Sequence, residues 1–275
     1  MLPEPADILT LGDNVYPTFL ANLPSIEFRE GNYSLRFISS NAELDDVLRL
    51  RFEIFNVELG EGLDSSFLTG RDRDEFDATC HHLAVYHSDG QADGQVVGTY
   101  RIQTSAMAAT SAGFYSAREF DLSGLSAEIV DQSVELGRAC IAPAHRNTQV
   151  LFLLWKGLAS YVRHNGKRFL FGCCSLSSQD ADEGAVVYRE LEAQGLLHPE
   201  VFLQPQPDFD CCAAATGEFR GERGPLPRLF RTYLRFGAKI CGPPAIDRQF
   251  RTIDFLVLFD VAAMDGASHR LFFGD

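Results

Sequence analysis

The run Val134-Glu135-Leu136-Gly137-Arg138-Ala139-Cys140-Ile141 constrains the fold more than any other segment. It sets a carboxylate and a guanidinium inside an otherwise apolar, strand-like stretch. Buried charges are costly unless they are paired or used chemically. Val96-Val97-Gly98-Thr99-Tyr100-Arg101-Ile102 repeats the pattern, a strand with one arginine near its end, and the acidic run Asp74-Glu75-Phe76-Asp77 lies upstream as a source of counter-charge. Together the three segments predict a polar site built on a sheet. Side chains three apart on a regular strand face opposite sides, so Glu135 and Arg138 should diverge. A bulge near Leu136-Gly137 would re-phase the strand, turn both toward one cleft and free a backbone N–H. Gly137 fits that need, and fits equally well a close packing of helix on sheet.

Around that centre the sequence alternates strand and helix patterns. Tyr33 to Ile38 alternates as a half-buried strand does. Asn41 is placed to cap a helix that buries Leu44, Val47, Leu48 and Leu50 and carries Arg49 and Arg51 toward Phe55. His82 to His87 and Gln95 to Gln103 predict a hairpin across the polar turn from Ser88 to Gly94. Beyond the Glu135 strand, Pro143 to Asn147 predicts a turn and Val150 to His164 a helix with Leu151, Leu154, Trp155, Leu158 and Tyr161 on its apolar side. Phe169 to Cys174 then predicts a strand and Ala185 to Gln194 a helix. Residues 199–227 are rich in Pro, Gly and acidic side chains and read as a long loop or lid. Arg228 to Gly237 predicts a helix and Ile253 to Phe259 a last strand. Residues 1–30, broken by Pro3, Pro5, Pro17 and Pro24, read as an N-terminal arm, which leaves 31–275 as a single domain. The fold class expected is α/β: a mixed central sheet flanked by helices, with an extended C-terminal region.

A hydrophobic content of 45% over 275 residues is ordinary for a globular chain with a sizeable core. The net charge of -14 speaks against general nucleic-acid binding, which draws on clustered Lys and Arg. Among the seven cysteines, Cys173-Cys174 and Cys211-Cys212 are adjacent rather than spaced as zinc-clasping pairs are. The odd total and the lack of a basic, then apolar, leader predict reduced thiols and a cytoplasmic location. The longest apolar runs fall short of the ~18 residues of a membrane span, so any contact with the inner face of the cytoplasmic membrane would be peripheral. His81 and His82 face opposite ways on a strand and have no matching ligand set, so both are read as structural and no metal is expected. Ser175, Ser177 and Ser178 lie outside a Gly-x-Ser-x-Gly elbow, which removes support for a serine hydrolase.

Several motifs carry a family resemblance. Arg51, Phe52, Phe55, Asp74, Asp77, Arg101 in Gly-Thr-Tyr-Arg, and Glu135 and Arg138 in Glu-Leu-Gly-Arg occur in an order that resembles acyl-homoserine lactone synthases. Those are GNAT-like acyltransferases that take acyl chains from acyl carrier protein. The remaining motifs resemble a sister group, the ornithine-lipid N-acyltransferases often labelled hemolysin-like. They are Phe114-Tyr115-Ser116 before Glu119-Phe120-Asp121, Leu154-Trp155-Lys156-Gly157-Leu158, Tyr233 to Ala238, and Gly242-Pro243-Pro244-Ala245-Ile246-Asp247. The resemblance spans Tyr33 to about Phe259. It implies a GNAT-like fold and transfer of a fatty or 3-hydroxy-fatty acyl group from acyl carrier protein to the α-amine of an amino acid. Ornithine is the acceptor it most favours, giving a lyso-ornithine lipid. An N-acyl amino acid synthase acting on glycine, tyrosine or another amino acid is the near alternative. A non-catalytic binder of acyl chains or of carrier protein is the distant one, and fold alone does not separate them.

On that implication Glu135 is the candidate general base, because acylation needs a neutral amine and an α-amine is largely protonated in neutral water. A structural Glu–Arg ion pair, with Arg138 or Arg101 nearby, is the plainer reading. Leu136 and Gly137 would form the bulge whose freed N–H binds the developing oxyanion, the part GNAT enzymes give this strand. Arg101 would either grip the acceptor carboxylate through its fork or be neutralised by Asp74 or Asp77 in a network with Arg51. On their own, Asp74 and Asp77 would pass for a solvated acidic loop. The turn from Pro143 to Gln149 lacks the glycines with which acyl-CoA enzymes cradle pyrophosphate. That suits a donor bearing one phosphate, the acyl-phosphopantetheine of a carrier protein, with no permanently bound cofactor. Arg146, Lys156, Arg163, Lys167 and Arg168 are the candidate docking surface for that acidic protein, against the commoner meaning of such spacing, a solvated helix face.

Overall fold

Apolar alternation becomes a nine-stranded sheet in the computed structural model, which describes residues 16–274 apart from 90–93, 218, 220, 222 and 223. Among the described residues the strands are β1 (Glu27–Glu30), β2 (Tyr33–Phe37), β3 (His81–His87), β4 (Gln95–Thr104), β5 (Ser133–Ile141), β6 (Phe169–Leu176), β7 (Lys239–Ile240), β8 (Ala245–Asp247) and β9 (Thr252–Asp260). Their order is β1-β2-β3-β4-β5-β6-β9-β7, with β8 also on β9. The pairs are antiparallel except β5 with β6, which is parallel and therefore needs a crossover. The helices are α1 (Asn41–Phe52), α2 (Ser66–Thr69), α3 (Ser105–Ala109), α4 (Ala127–Asp131), α5 (Thr148–His164), α6 (Ala181–Ala193), α7 (Cys211–Ala214), α8 (Arg228–Arg235) and α9 (Gly266–Phe273). The β5–β6 crossover is α5.

The two-residue period of the strands sorts the sheet into two faces. Leu83, Val85, Tyr100, Ile102 and Val134 point to the side covered by Val150, Leu153, Leu154 and Leu158 of α5. Ala84, Tyr86 and Val96 point to the other side, where α1 supplies Leu44, Val47 and Leu48. Each such leucine or valine contributes roughly 1.5–3 kcal/mol on leaving water. Arg101 and Gln103 alternate with Tyr100 and Ile102 and so fall on the α1 face, beyond the end of that helix.

The centre of the sheet is split. β5 and β6 pair only at Ser133–Phe169, Val134–Leu170 and Glu135–Phe171, after which β6 continues on β9 alone. At the fork Gly172 meets the Leu136 carbonyl so closely that a Cβ there would lie 2.2 Å from that oxygen, so only glycine fits. Past this point, among the described residues, the backbone of β5 has no strand partner on the β6 side, and a cleft opens.

Several expected boundaries move. The α1 N-cap is Ser40, not Asn41: its hydroxyl accepts from Glu43 N while Glu43 Oε2 accepts from Ser39 N (2.7 Å), a reciprocal box. α6 starts at Ala181, capped by Asp180, four residues ahead of the expected start. The arm expected through residue 30 contains an edge strand, β1, and Tyr16, whose hydroxyl accepts from His82 N; residues 1–15 lie outside the described residues. The loop expected over 199–227 is no free lid in its first half. Val201, Leu203 and Cys211 are buried against the sheet, and Leu203 N bonds to the Cys241 carbonyl. Residues 218, 220, 222 and 223 of it, and 90–93 of the expected hairpin turn, lie outside the described residues.

Candidate active site

The bulge that the site requires is present, but one step further along than the sequence suggests. Between Thr99–Cys140 and Arg101–Gly137 the β4–β5 register shifts, so that Arg138 and Ala139 together oppose Tyr100. Arg138 itself takes the left-handed conformation, with φ of 50°, while Gly137 stays extended. The extra residue re-phases β5. Glu135 and Gly137, opposite Gln103 and Arg101, then share one face with Arg138.

Glu135 is buried and its carboxylate is saturated. Oε1 accepts from Ser116 N (2.8 Å) and Ser116 Oγ (2.7 Å), and Oε2 from Tyr115 N (2.9 Å) and Gln103 Nε2 (2.6 Å). All four donors are neutral. The alternative of a structural Glu–Arg ion pair is not what forms, because Arg101 and Arg138 both have closer carboxylates. What Glu135 does is clamp the Phe114-Tyr115-Ser116 turn to the sheet, and a carboxylate with four fixed donors has little left to offer a substrate proton.

The arginines are held in a lattice of three cations and three aspartates. Arg51 donates from Nε to Asp72 (2.7 Å) and from Nη1 to Asp77 (2.6 Å). Arg101 Nη1 bonds to Asp74 (2.6 Å) and Asp77 (3.1 Å), and Arg138 reaches Asp74 (3.2 Å) and Asp72 (3.3 Å). Burial alone would push these carboxyls up, but Arg51 and Arg101 hold Asp77 far below the usual carboxylate range, and Arg101 with Arg138 holds Asp74 below it too. The solvated-loop reading of Asp74 and Asp77 is thus corrected, and Asp72 joins the expected network. The Arg138 guanidinium also lies over the rings of Phe250 (4.3 Å) and Tyr115 (4.8 Å). Phe55 reaches the cavity wall, edge-on to Phe250 at 5.6 Å. Phe52 does not: α1 ends in a π-helical turn over Glu53–Glu58, whose wider winding separates the two rings and leaves Phe52 against Phe67. His82 is buried under Asp77, and burial pushes it down to about 3, so it is neutral; His81 binds Tyr161 on the opposite face.

A cavity of about 310 Å³ threads the fork between β5 and β6. Because it is lined by Arg101, Gln103, Glu135 and Gly137 from one face of the sheet and by Tyr100, Ile102, Leu136 and Trp155 from the other, it passes through the sheet. Its α5 side is apolar, closed by Tyr233 of α8, Phe259, Met264 and Phe272 of α9. Its other end is acidic. Glu119 and Asp254 line it and Asp247 lies beside them, all three buried with carboxylate oxygens within 4.8 Å of one another, a donor set that could hold a metal ion or an ammonium. They are not equivalent. Asp247 accepts from the backbone N–H groups of Gln249 and Phe250 (both 2.8 Å), and Asp254 from Ser175 Oγ (2.5 Å) and Thr252 Oγ1 (2.7 Å). Among the described residues Glu119 accepts from no backbone N–H or hydroxyl, only from the Cys173 thiol (3.9 Å), and burial, then Asp254 and Asp247, raise it well above the usual range. Nearby Glu61 lines the cavity with one hydroxyl donor, Ser177, and burial pushes it up to about 7.

The five expected docking residues do not form one patch. Arg146 is clasped by Glu58 (2.6 Å to each oxygen), and Arg168 by Asp260. Lys167 donates to the Asp131 carbonyl (2.5 Å), Arg163 to the Phe273 carbonyl (2.8 Å), and Lys156 lies over Phe152. The 17 residues of α5 span about 25 Å, which sets Arg146 and Lys167 at opposite ends.

A bulged strand forked from its parallel neighbour over a cavity that crosses the sheet, in a chain whose residues 50–156 match the acetyltransferase (GNAT) domain family, defines an acyltransferase of the GNAT class. The L-ornithine N(alpha)-acyltransferase of Rhizobium meliloti (strain 1021) is 30% identical over 246 residues, covering 86% of this chain and 83% of the relative. That of Brucella abortus (strain 2308) is 30% identical over 249 residues, covering 85% and 86%. The chain belongs to the L-ornithine N(alpha)-acyltransferase family and is an N-acyltransferase. Among solved structures, FeeM, an N-acyl amino acid synthase from uncultured soil microbes, is 11% identical with a TM-score of 0.46, covering 84% of this chain and 94% of that one, a likeness too remote to argue from.

Proposed function

We propose that the protein transfers a fatty acyl group from the phosphopantetheine of acyl carrier protein to the α-amine of ornithine, yielding a lyso-ornithine lipid. The observation that carries this reading is the polarity of the cavity, apolar on the α5 side and acidic on the other, with the fork of β5 and β6 between them. A thioester lying in the fork has its acyl chain beside Trp155, Tyr233 and Phe272, and its carbonyl oxygen within reach of the unpaired N–H groups of bulged β5. An acceptor with two amines has its side-chain ammonium met by Asp254, which lines the cavity and is held in place by the Ser175 and Thr252 hydroxyls, with Asp247 adding its charge from within 4.8 Å. The names of the relatives support ornithine as that acceptor.

Glu61, not Glu135, is the residue we assign to the amine proton. It takes the proton from the α-ammonium, the free amine attacks the thioester carbon, and the pantetheine thiolate leaves and is protonated as the amide forms. The turn before α5 supports a carrier-borne donor, since it has no glycine and the Asn147 side chain already caps Val150 N (3.0 Å). The test is direct. Purified protein is supplied with acylated carrier protein or the same acyl group on CoA, and with a panel of amino acids, and products are read by mass spectrometry. N-acyl-ornithine formed preferentially from the carrier is the expected result. Preferential acylation of glycine or tyrosine would replace ornithine, and binding without turnover would remove the enzymatic assignment of this cavity.

A further inference from the structure

We propose that the outer face of α8 is the surface on which the acidic carrier protein docks, with Arg231 and Arg235 as its main contacts. This rests on the carrier-protein reading of the donor and says where that donor sits. Leu229, Phe230 and Tyr233 of α8 turn inward to line the cavity, while Arg228, Arg231 and Arg235 are exposed. Spacings of three, four and seven residues place the three arginines on one stripe about 10 Å long. Arg228 Nη1 donates to the Arg146 carbonyl (3.3 Å), which ties the start of α8 to the turn before α5. The stripe therefore lies directly outside the walls of the channel.

Three open cations on one face set it apart. Several arginines elsewhere in this acidic chain are neutralised locally, Arg36 by Glu43, Arg71 by Asp45, Arg146 by Glu58, Arg168 by Asp260 and Arg251 by Asp64, while Arg163 and Arg248 stand singly and donate to the carbonyls of Phe273 and Gln179. Among the described residues no ion pair involves Arg228, Arg231 or Arg235. A protein of net charge -14 repels an acidic partner at long range, so association needs a local cationic patch left open for it. An anionic lipid surface would also attract arginines, but an interfacial helix inserts its apolar face, and that of α8 is already packed inward. No α8 side chain is among the exposed large hydrophobics.

The test compares the full-length enzyme with an R231E/R235E variant, using acylated carrier protein and the matching acyl-pantetheine thioester, which has no protein to dock. For the variant, KM for the acylated carrier should rise ~10-fold or more with kcat nearly constant, acyl-pantetheine turnover should be unaltered, and R231Q/R235Q should show a smaller rise in the same direction. An unchanged KM for the carrier, or equal loss with both donors, would overturn the assignment. So would loss of co-sedimentation with phosphatidylglycerol vesicles at intact carrier kinetics, which would give α8 to the membrane. If the unaltered enzyme uses acyl-CoA as well as the acylated carrier, the donor reading itself fails, a result separable from any effect of the arginine variants.

Discussion

Two charged clusters meet at this cavity and are built on opposite terms. Arg51, Arg101 and Arg138 face Asp72, Asp74 and Asp77 three against three, interlocked and buried, so that each charge is answered within the protein. Glu119, Asp247 and Asp254 face one another, Glu61 feels the charge of Asp254, and Arg138 is the cation that acts on Glu119 and Asp254. A balanced lattice satisfies itself and holds α1, the 72–77 segment, β4 and β5 in one arrangement. In the unbalanced one Glu61, Glu119 and Asp254 sit high on the pH scale, and a substrate can bring the positive charge it lacks. The lattice is therefore expected to report on folding and the acidic group on catalysis.

The sharpest way to break that division is Glu61→Gln. If Glu61 takes the amine proton, single-turnover acyl transfer should fall ~10²–10⁴-fold with no loss of melting temperature. The pH dependence has a defined sign: the basic form of Glu61 is populated above about pH 7, so kcat/KM should climb through that region and the variant should lose that limb. Because the folded carboxyl titrates above its unfolded value, ionising it costs folding free energy, and stability should decline as pH rises toward 7 by an amount the variant removes. A variant with the parent's rate and pH profile would take Glu61 out of the chemistry.

Asp77→Ala probes the other cluster. It leaves Arg51 and Arg101 buried with half their partners, and the expected loss of stability is ~3–5 kcal/mol, read by denaturant unfolding. A near-neutral result would show that the lattice is not what holds these elements. Glu135→Gln should behave as a smaller version of the same defect, since an amide nitrogen facing Ser116 or Tyr115 N–H leaves buried donors unpaired at a cost of about 1–3 kcal/mol. Activity should fall with it through displacement of the 114–116 turn, without the loss of a pH limb that marks Glu61. Asp254→Asn should be mildest for the fold, raising KM for ornithine ~10-fold with a lesser change in kcat, as expected when one charged contact to the acceptor is lost. An equal rise for an acceptor without a side-chain amine would separate Asp254 from ammonium recognition.

Much of this was legible in the chain alone. Polar interruptions in the β4 and β5 patterns marked Arg101, Glu135 and Arg138 as a site, because a charge inside an apolar strand needs a reason to be there. Asp254 carries the same signal, one carboxylate in Thr252-Ile253-Asp254-Phe255-Leu256-Val257, and patterning by itself is enough to find it. Asp72 stands between two arginines and Glu61 in a glycine-flanked loop, where charged residues are ordinary, so nothing local distinguishes them. Strand and helix periods are local properties and set the order of elements on both faces of the sheet. Partner choice is not local. Glu135 could have met Arg138 or four neutral donors, and only the turn of the backbone at Arg138, the fork at Gly172 and the approach of the 114–116 segment decided it. The acidic group likewise draws on positions 61, 119, 247 and 254, which no sequence period relates and which come together only when β8 and β9 close over the fork.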